Sequence, residues 1–524
     1  MPPSPRRTAV LFVLAGAVAA VANGPRALAP AAWLAPLLFL RAMHGLPVAM
    51  GAVLGSLVYA AATVVAARGM LPLQGGFYVL AAASIGLGAA APFVVHRALA
   101  PRLPLGLVPL LFPVTATAME FLGSRLQPFG SFGAVAYTQA AVLPLWQVAA
   151  VAGLPGIAWL VYLPAALIHW GLDYRPPRAQ LKLGLLAAGL LLLAVLGLGA
   201  ARLRPQPATA PTVTVAVVSS PLHLRLSQEL APAYATGDPA TVKWDEALRQ
   251  AARVISALMT GTERAAAAGA RIVIWPETAA IVTEQSEQAL FKMAGALTRA
   301  HDMYLALALG VVRHRARPWP AGDGALDNKV VLIGPSGEPV AQYRKSIAVP
   351  GPEAELLVPS TGTIPIVQTP YGRIGLAICF DMDFPQLMRR AAGADLVLVP
   401  AEDWRGITPY HSDMSRLRGI EGGYAVVRAA RYGLSIASDS RGRLLASLPD
   451  EQTGIYIDRL LLAQVPMQGS ATAYARRGDL VGWLTVGGFF ILSLMALIRR
   501  RRAAAAIILD ERPSGAGDHR ETPK

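Results

Sequence analysis

The chain has one cysteine, Cys379, and little charge: 15% of its 524 residues are Asp, Glu, Lys or Arg, with 32 acids against 47 bases. A lone cysteine excludes an intramolecular disulfide and a cysteine-built metal cluster, so the thiol is either inert or chemically used. So few charges, with 54% hydrophobic residues and a mean hydropathy of +0.45, exclude an ordinary soluble enzyme and imply a membrane protein. The formal charge of +15 does not signal a nucleic-acid partner, because the arginines cluster at the chain ends and beside apolar runs instead of interleaving with aromatics on one face. No metal and no cofactor is expected.

The apolar excess is uneven. Residues 8–201 carry few charges, whereas residues 202–478 read like a soluble domain. Runs near 20 apolar residues cross the roughly 30 Å hydrocarbon core as helices. Candidates lie at about 8–23, 28–42, 45–67, 76–95, 104–121, 153–170 and 183–201, with a last one at about 480–498. The first follows Arg6 and Arg7 and reads as an uncleaved helix, since further spans come at once. The second is short, and 133–150 could be interfacial or re-entrant. Eight spans with both ends inside keep Arg41, Arg97, Arg102, Arg175, Arg178, Lys182 and Arg499 to Arg502 in the cytoplasm. That orientation puts residues 202–478 outside. The Gln127–Gly133 stretch, QPFGSFG, is expected to be an ordinary loop and Glu120 an interfacial carboxylate. The organisation expected is a membrane domain over 1–202, an α/β domain over 211–468, a last helix over 479–498 and a basic, polar cytoplasmic tail over 499–524.

A Pro- and Ala-rich linker at 203–211 opens the soluble region. β-Branched runs then alternate with amphipathic stretches: strands at Val213–Val218, Arg271–Trp275, Tyr304–Val312, Asn328–Ile333, Ile364–Gln368, Ile374–Cys379 and Leu396–Val399, and helices at 241–268, 287–300 and 409–423. The turn Pro335-Ser336-Gly337 predicts a hairpin returning toward Tyr343. This order implies a layered α/β domain able to bury its own core.

Three segments carry chemistry. Glu277 follows Ile272-Val273-Ile274-Trp275-Pro276, Lys345 follows the hairpin, and Cys379 ends a strand. Taken singly, each is bland: a cysteine ending an apolar strand is usually a small buried hydrophobe, and a lone Glu or Lys in a turn is usually solvated. Together, in order and each after a strand, they suit nucleophilic acyl transfer. A thiol with an ordinary pKa near 8.5 needs a base, which Glu277 supplies. Lys345 and the backbone N–H of Phe380 would steady the oxyanion. His411, Ser412 and Asp413 are neighbours, but adjacency does not build a relay; His411 is expected to cap or line a helix start.

The ordered Glu, Lys and Cys resemble the nitrilase, or carbon–nitrogen hydrolase, superfamily over about residues 211–460, which implies an αββα sandwich. With helices on both sides, the whole chain resembles the superfamily's membrane branch, the apolipoprotein N-acyltransferases. The resemblance implies a bacterial inner-membrane enzyme with its catalytic domain on the periplasmic side, and a monomer is expected. Its acyl donor would be a phospholipid and its acceptor a diacylated apolipoprotein, linked by a thioester on Cys379. Lys243-Trp244-Asp245 and the Val349-Pro350 to Glu353 stretch match the branch's elements, so Trp244, Glu353, Phe380, Asp381 and Trp404 are candidate substrate-binding residues. Phe380-Asp381 stands where the branch has Tyr-Glu. Ala401-Glu402-Asp403-Trp404-Arg405, Arg428-Ala429-Ala430-Arg431 and Val217-Val218-Ser219-Ser220 also depart from its pattern. Two alternatives stay open: a membrane-tethered amidase or other acyltransferase acting on a small polar substrate, and a catalytically silent binding module. Apolar loops around Trp244 and 346–358 would favour lipid; a closed polar pocket would favour hydrolysis.

Overall fold

The computed structural model describes residues 5–71, 73–204, 211–316, 318–320, 323–404, 406–449 and 459–510. Most of the expected linker, Arg405 and the polar end of the tail lie outside these residues.

Apolar sequence with sparse charge folds here into long helices. They are α1 (Pro5–Ala19), α2 (Ala29–His44), α3 (Val48–Ala66), α4 (Gly75–Leu99), α5 (Val108–Leu126), the single turn α6 (Leu143–Trp146), α7 (Ala149–His169) and α8 (Arg178–Arg202). Among the described residues six helical segments are long and apolar enough to cross a membrane: five built on α3, α4, α5, α7 and α8, and a sixth, Leu480–Arg502, after the α/β domain. This is a multi-pass membrane protein. The first two expected spans form helices of 15 and 16 residues, about 22–24 Å at 1.5 Å per residue and short of the hydrocarbon core. The 133–150 stretch is no span. A 3-10 turn at Val135–Gln139 and α6 bury Ala136, Tyr137 and Trp146.

Two sheets form the α/β domain. The first contains β1 (Thr212–Ser219), β2 (Ile272–Ile274), β3 (Ala280–Thr283), β4 (Tyr304–Val312), β5 (Leu326–Ile333) and β6 (Pro339–Arg344), and is joined by the last strand, β13 (Arg459–Pro466). The second runs in spatial order from β12 (Leu444–Pro449) through β11 (Leu434–Ser438), β10 (Ala425–Arg431), β9 (Leu396–Glu402) and β8 (Gly372–Leu376) to β7 (Ile366–Thr369). Their facing apolar residues share one core, with Val215, Ile274, Val330, Leu376, Val397 and Val427 all fully buried. Outside the first sheet pack α9 (His223–Thr236), α10 (Trp244–Ala267) and α11 (Glu284–His301). Asp245 and Glu246 suit the positive start of α10, and a Thr283–Ser286 capping box opens α11. Short turns α12 (Pro352–Leu356) and α13 (Pro385–Met388) flank the site, and α14 (Tyr410–Gly422) covers the second sheet. Finally α15 (Ala473–Arg477) leads into α16 (Leu480–Asp510).

The outer layer of the second sheet is shared. Tyr410, Met414, Leu417 and Ile420 of α14 pack into the same cluster as Trp146 of α6 and Ile157 and Val161 of α7. The expected αββα architecture is present, with the helical bundle buttressing one face.

Candidate active site

Each functional side chain stands where a strand ends. Pro276 removes a backbone donor beyond β2, and the chain crosses toward the second sheet, where Glu277 N donates to Ala401 O at 3.4 Å. The Glu277 carboxylate is buried. Its Oε2 accepts from Glu402 N at 2.9 Å, and its Oε1 from Asn328 Nδ2 at 2.8 Å and Lys345 Nζ at 2.9 Å. Lys345 prolongs the β5–β6 ladder through its N–H to Asn328 O at 2.9 Å. Its ammonium also donates to Glu353 Oε1 at 2.7 Å, while Glu353 Oε2 takes the N–H of Val349 at 2.8 Å. One buried lysine is thus held between two carboxylates, an arrangement a low-dielectric site tolerates only with every partner in place.

Cys379 opens a 3-10 turn over Cys379–Asp383 with φ of +44°, a left-handed conformation costly for a residue with a Cβ and kept only where the surrounding structure enforces it. Its Sγ donates to Glu402 O at 3.5 Å, and the thiol is among the groups that help keep the Glu277 carboxylate ionised. Burial, then the charge of Glu277, pushes the thiol well above its usual pKa, while Lys345 and Arg428 pull it down. Burial acts to raise Glu277 as well, but Lys345 outweighs it and holds the acid below the ordinary carboxylate range. Burial raises Glu353, with Lys345 opposing and Glu277 assisting. At neutral pH the resting pair is therefore a protonated thiol beside an ionised base.

The other expected residues are placed differently. Asp381 is fully buried and engaged by four donors of the chain itself: Oδ1 takes Ser346 N at 3.2 Å and Ile347 N at 3.0 Å, and Oδ2 takes Tyr343 OH at 2.8 Å and Ile378 N at 3.0 Å. It ties the cysteine turn to the loop after Lys345. The Phe380 ring lies in the inter-sheet core, edge-on to Phe384. Trp244 sits at the start of α10, its indole donating to Pro239 O at 3.0 Å. Trp404 donates to Gly69 O of the α3–α4 loop at 3.0 Å, so it spans the two parts of the molecule.

Sequence reasoning did not pick out Asn328, although the hairpin turn sets a register that places it beside Lys345. It also did not pick out the buried network behind Cys379. There Arg428 makes a two-pronged contact with Asp403 at 2.7 and 2.8 Å, and His411 bridges Asp403 at 2.9 Å and Asp383 at 3.4 Å. His411, on the first turn of α14, is thus a charge bridge between two carboxylates. Glu402 pairs with Arg431, so two departures from the branch's pattern meet in one ion pair.

Residues 229–473 match the family model of carbon–nitrogen hydrolases. Over 94% of its length and 96% of the relative's, the chain is 26% identical to an apolipoprotein N-acyltransferase of Geobacter metallireducens. It is 30% identical to the one of Brucella melitensis over 64% of each protein, and 32% identical to the deaminated glutathione amidase of Rattus norvegicus over 35% of this chain and 63% of that enzyme. Among solved structures, an amidase from Nesterenkonia sp. superposes with a TM-score of 0.38 at 20% identity, covering 52% of this chain and 94% of that one. The chain is a multi-pass membrane protein whose residues 229–473 are similar to the carbon–nitrogen hydrolases. Its similarity to the apolipoprotein N-acyltransferases runs through both the helical and the α/β parts.

Proposed function

We propose that this protein is an N-acyltransferase that moves a fatty acyl chain from a phospholipid, through a thioester on Cys379, to the α-amino group of the diacylglyceryl-cysteine of bacterial apolipoproteins. The observation that carries this reading is the closed Glu277, Lys345 and Glu353 cluster on Cys379, in a chain similar to such transferases along nearly its whole length.

Glu277 takes the proton from Sγ as the sulfur attacks the ester carbonyl carbon. Lys345 and the N–H of Phe380 stabilise the oxyanion. As the C–O bond breaks, the departing lysophospholipid oxygen receives the proton from Glu277, leaving the thioester. The acceptor amine then attacks the thioester carbonyl, Glu277 takes its proton, the C–S bond breaks and the proton returns to sulfur. Glu353 keeps Lys345 charged and oriented throughout. Arginines on the predicted inside segments favour an orientation in the bacterial inner membrane with the α/β domain on the periplasmic side, where it meets the outer leaflet of that membrane.

The test is intact-protein mass spectrometry after incubation of detergent-solubilised enzyme with phospholipid. A hydroxylamine-sensitive fatty-acyl adduct on native enzyme, absent from Cys379→Ala, is the expected result, followed by transfer to a diacylated lipopeptide. Folded native enzyme that takes no adduct from any phospholipid sinks the reading in favour of a small-substrate amidase.

A further inference from the structure

The Gln127–Gly133 segment, between α5 and α6, is no ordinary loop. It enters the α/β domain and reaches the nucleophile turn from behind. Ser131 is fully buried, and both its backbone N–H and its hydroxyl donate to Asp383 O, at 2.8 and 2.6 Å. Asp383 is the last residue of the turn that Cys379 begins. Carbonyls at the end of a helical turn lack partners within it, so these two donors hold its far end in place. Gly130 adopts φ of +56°, and a Cβ there would lie 2.5 Å from the same carbonyl, so the approach requires glycine. The Ser131 hydroxyl is itself held by Tyr137 OH at 2.7 Å, and that phenol accepts from Arg418 Nη2 of α14 at 2.9 Å.

The turn is therefore gripped at both ends. Asp381 ties its start to the loop after Lys345, and the helical bundle holds its end through Ser131. Between them Cys379 keeps a left-handed backbone conformation that a residue with a Cβ does not hold unaided. Loosening either end lets the thiol swing away from Glu277.

We infer that Ser131, a residue of the membrane domain, is a positioning residue for Cys379, so that the bundle forms part of the catalytic apparatus as well as anchoring it. The inference rests on Cys379 being the nucleophile.

Cys379 is the chain's only cysteine, so alkylation of the full-length protein by iodoacetamide reports that thiol with no substrate present. In Ser131→Ala, thioester formation at saturating phospholipid is expected to slow about tenfold with KM unchanged, because a small displacement of a reacting group costs rate more than binding. Its alkylation profile should move to lower pH, since the thiol leaves the burial and the Glu277 charge that keep it protonated. Ser131→Thr, which keeps the hydroxyl, should restore both.

An acylation rate within about twofold of native with a superimposable alkylation profile overturns the inference, as does a loss that Ser131→Thr does not rescue. Should Ser131→Ala fail to fold, Tyr137→Phe decides: slower acylation at unchanged KM supports the inference, and a native rate overturns it. Absence of a thioester on the native enzyme would instead defeat the proposed function, leaving the alkylation profiles to judge the positioning role.

Discussion

The central contact at the residue scale is one ammonium serving two carboxylates, with a thiol beside the first. Burial and the Glu277 charge keep the Cys379 thiol protonated at rest against the pull of Lys345, whereas Lys345 outweighs burial at Glu277 and keeps that acid ionised. Glu277→Gln keeps the shape and an oxygen for Lys345 but cannot accept the thiol proton. Thioester accumulation in that variant should slow by about 10²–10⁴, read by time-resolved intact-protein mass spectrometry. A second prediction concerns His411. Burial works against its charge, but Asp383 and then Asp403 outweigh burial and raise its pKa from 6.5 to about 9. A raised folded pKa contributes stability that is complete below 6.5 and is lost as pH rises through about 9. The midpoint of thermal unfolding should therefore fall between roughly pH 7 and 9, and the His411→Asn variant should lose that part of the slope.

At the scale of elements, glycines decide where the helical bundle meets the α/β domain. Helix α7 breaks at Gly153, with φ of +63°, where a Cβ would strike the Tyr474 ring at 2.5 Å. The freed N–H of Leu154 is then taken by the buried Glu421 of α14 at 3.1 Å, which satisfies a helix-start donor from another element. Gly69 and Gly406 touch backbone to backbone, each with positive φ, and a Cβ on either would lie 3.2 Å or less from the other. Gly69→Ala should therefore both strain the α3–α4 loop and push it from the segment preceding α14, costing about 1–3 kcal/mol. Denaturation in detergent gives that loss, and faster proteolysis between α3 and α4 would show that the loop has lifted. Glu120, expected at the interface, is instead an inner contact of this kind: it accepts from Val135 N at 3.2 Å and from Tyr162 OH at 3.1 Å, pinning the turn after the Ser131 loop to α5 and α7.

For the whole molecule, the orientation does not depend on α1 and α2. As consecutive helices they add two crossings or none, and either count leaves the proposed placement of the α/β domain, opposite the basic segments, unchanged. A cysteine in place of the exposed Met293 on α11, in a Cys379→Ala background, should react with a membrane-impermeant maleimide in cells whose inner membrane is intact. Gln180→Cys in the same background, in the basic first turn of α8, should react only after lysis. The reverse pattern would invert the topology.

By itself the sequence determined the class of the protein. Long apolar runs with arginines on alternate loops can be satisfied only by membrane helices, and Glu277, Lys345 and Cys379, each after a strand, stand at strand ends whatever their partners. The period-2 and period-3.6 patterns likewise located most of the strands and helices flanking those residues, while α9 and the strands after residue 423 were not anticipated. Only the tertiary structure decided which groups hold these three. Asn328 acts through a hydrogen bond from β5 to the segment after β2, Glu402 and Asp381 through hydrogen bonds between the two sheets, Trp404 reaches Gly69 across 335 positions, and Ser131 reaches Asp383 across 252. A hydrogen bond is selected by distance and direction in space, and local periodicity carries no information about which distant segment will supply the partner.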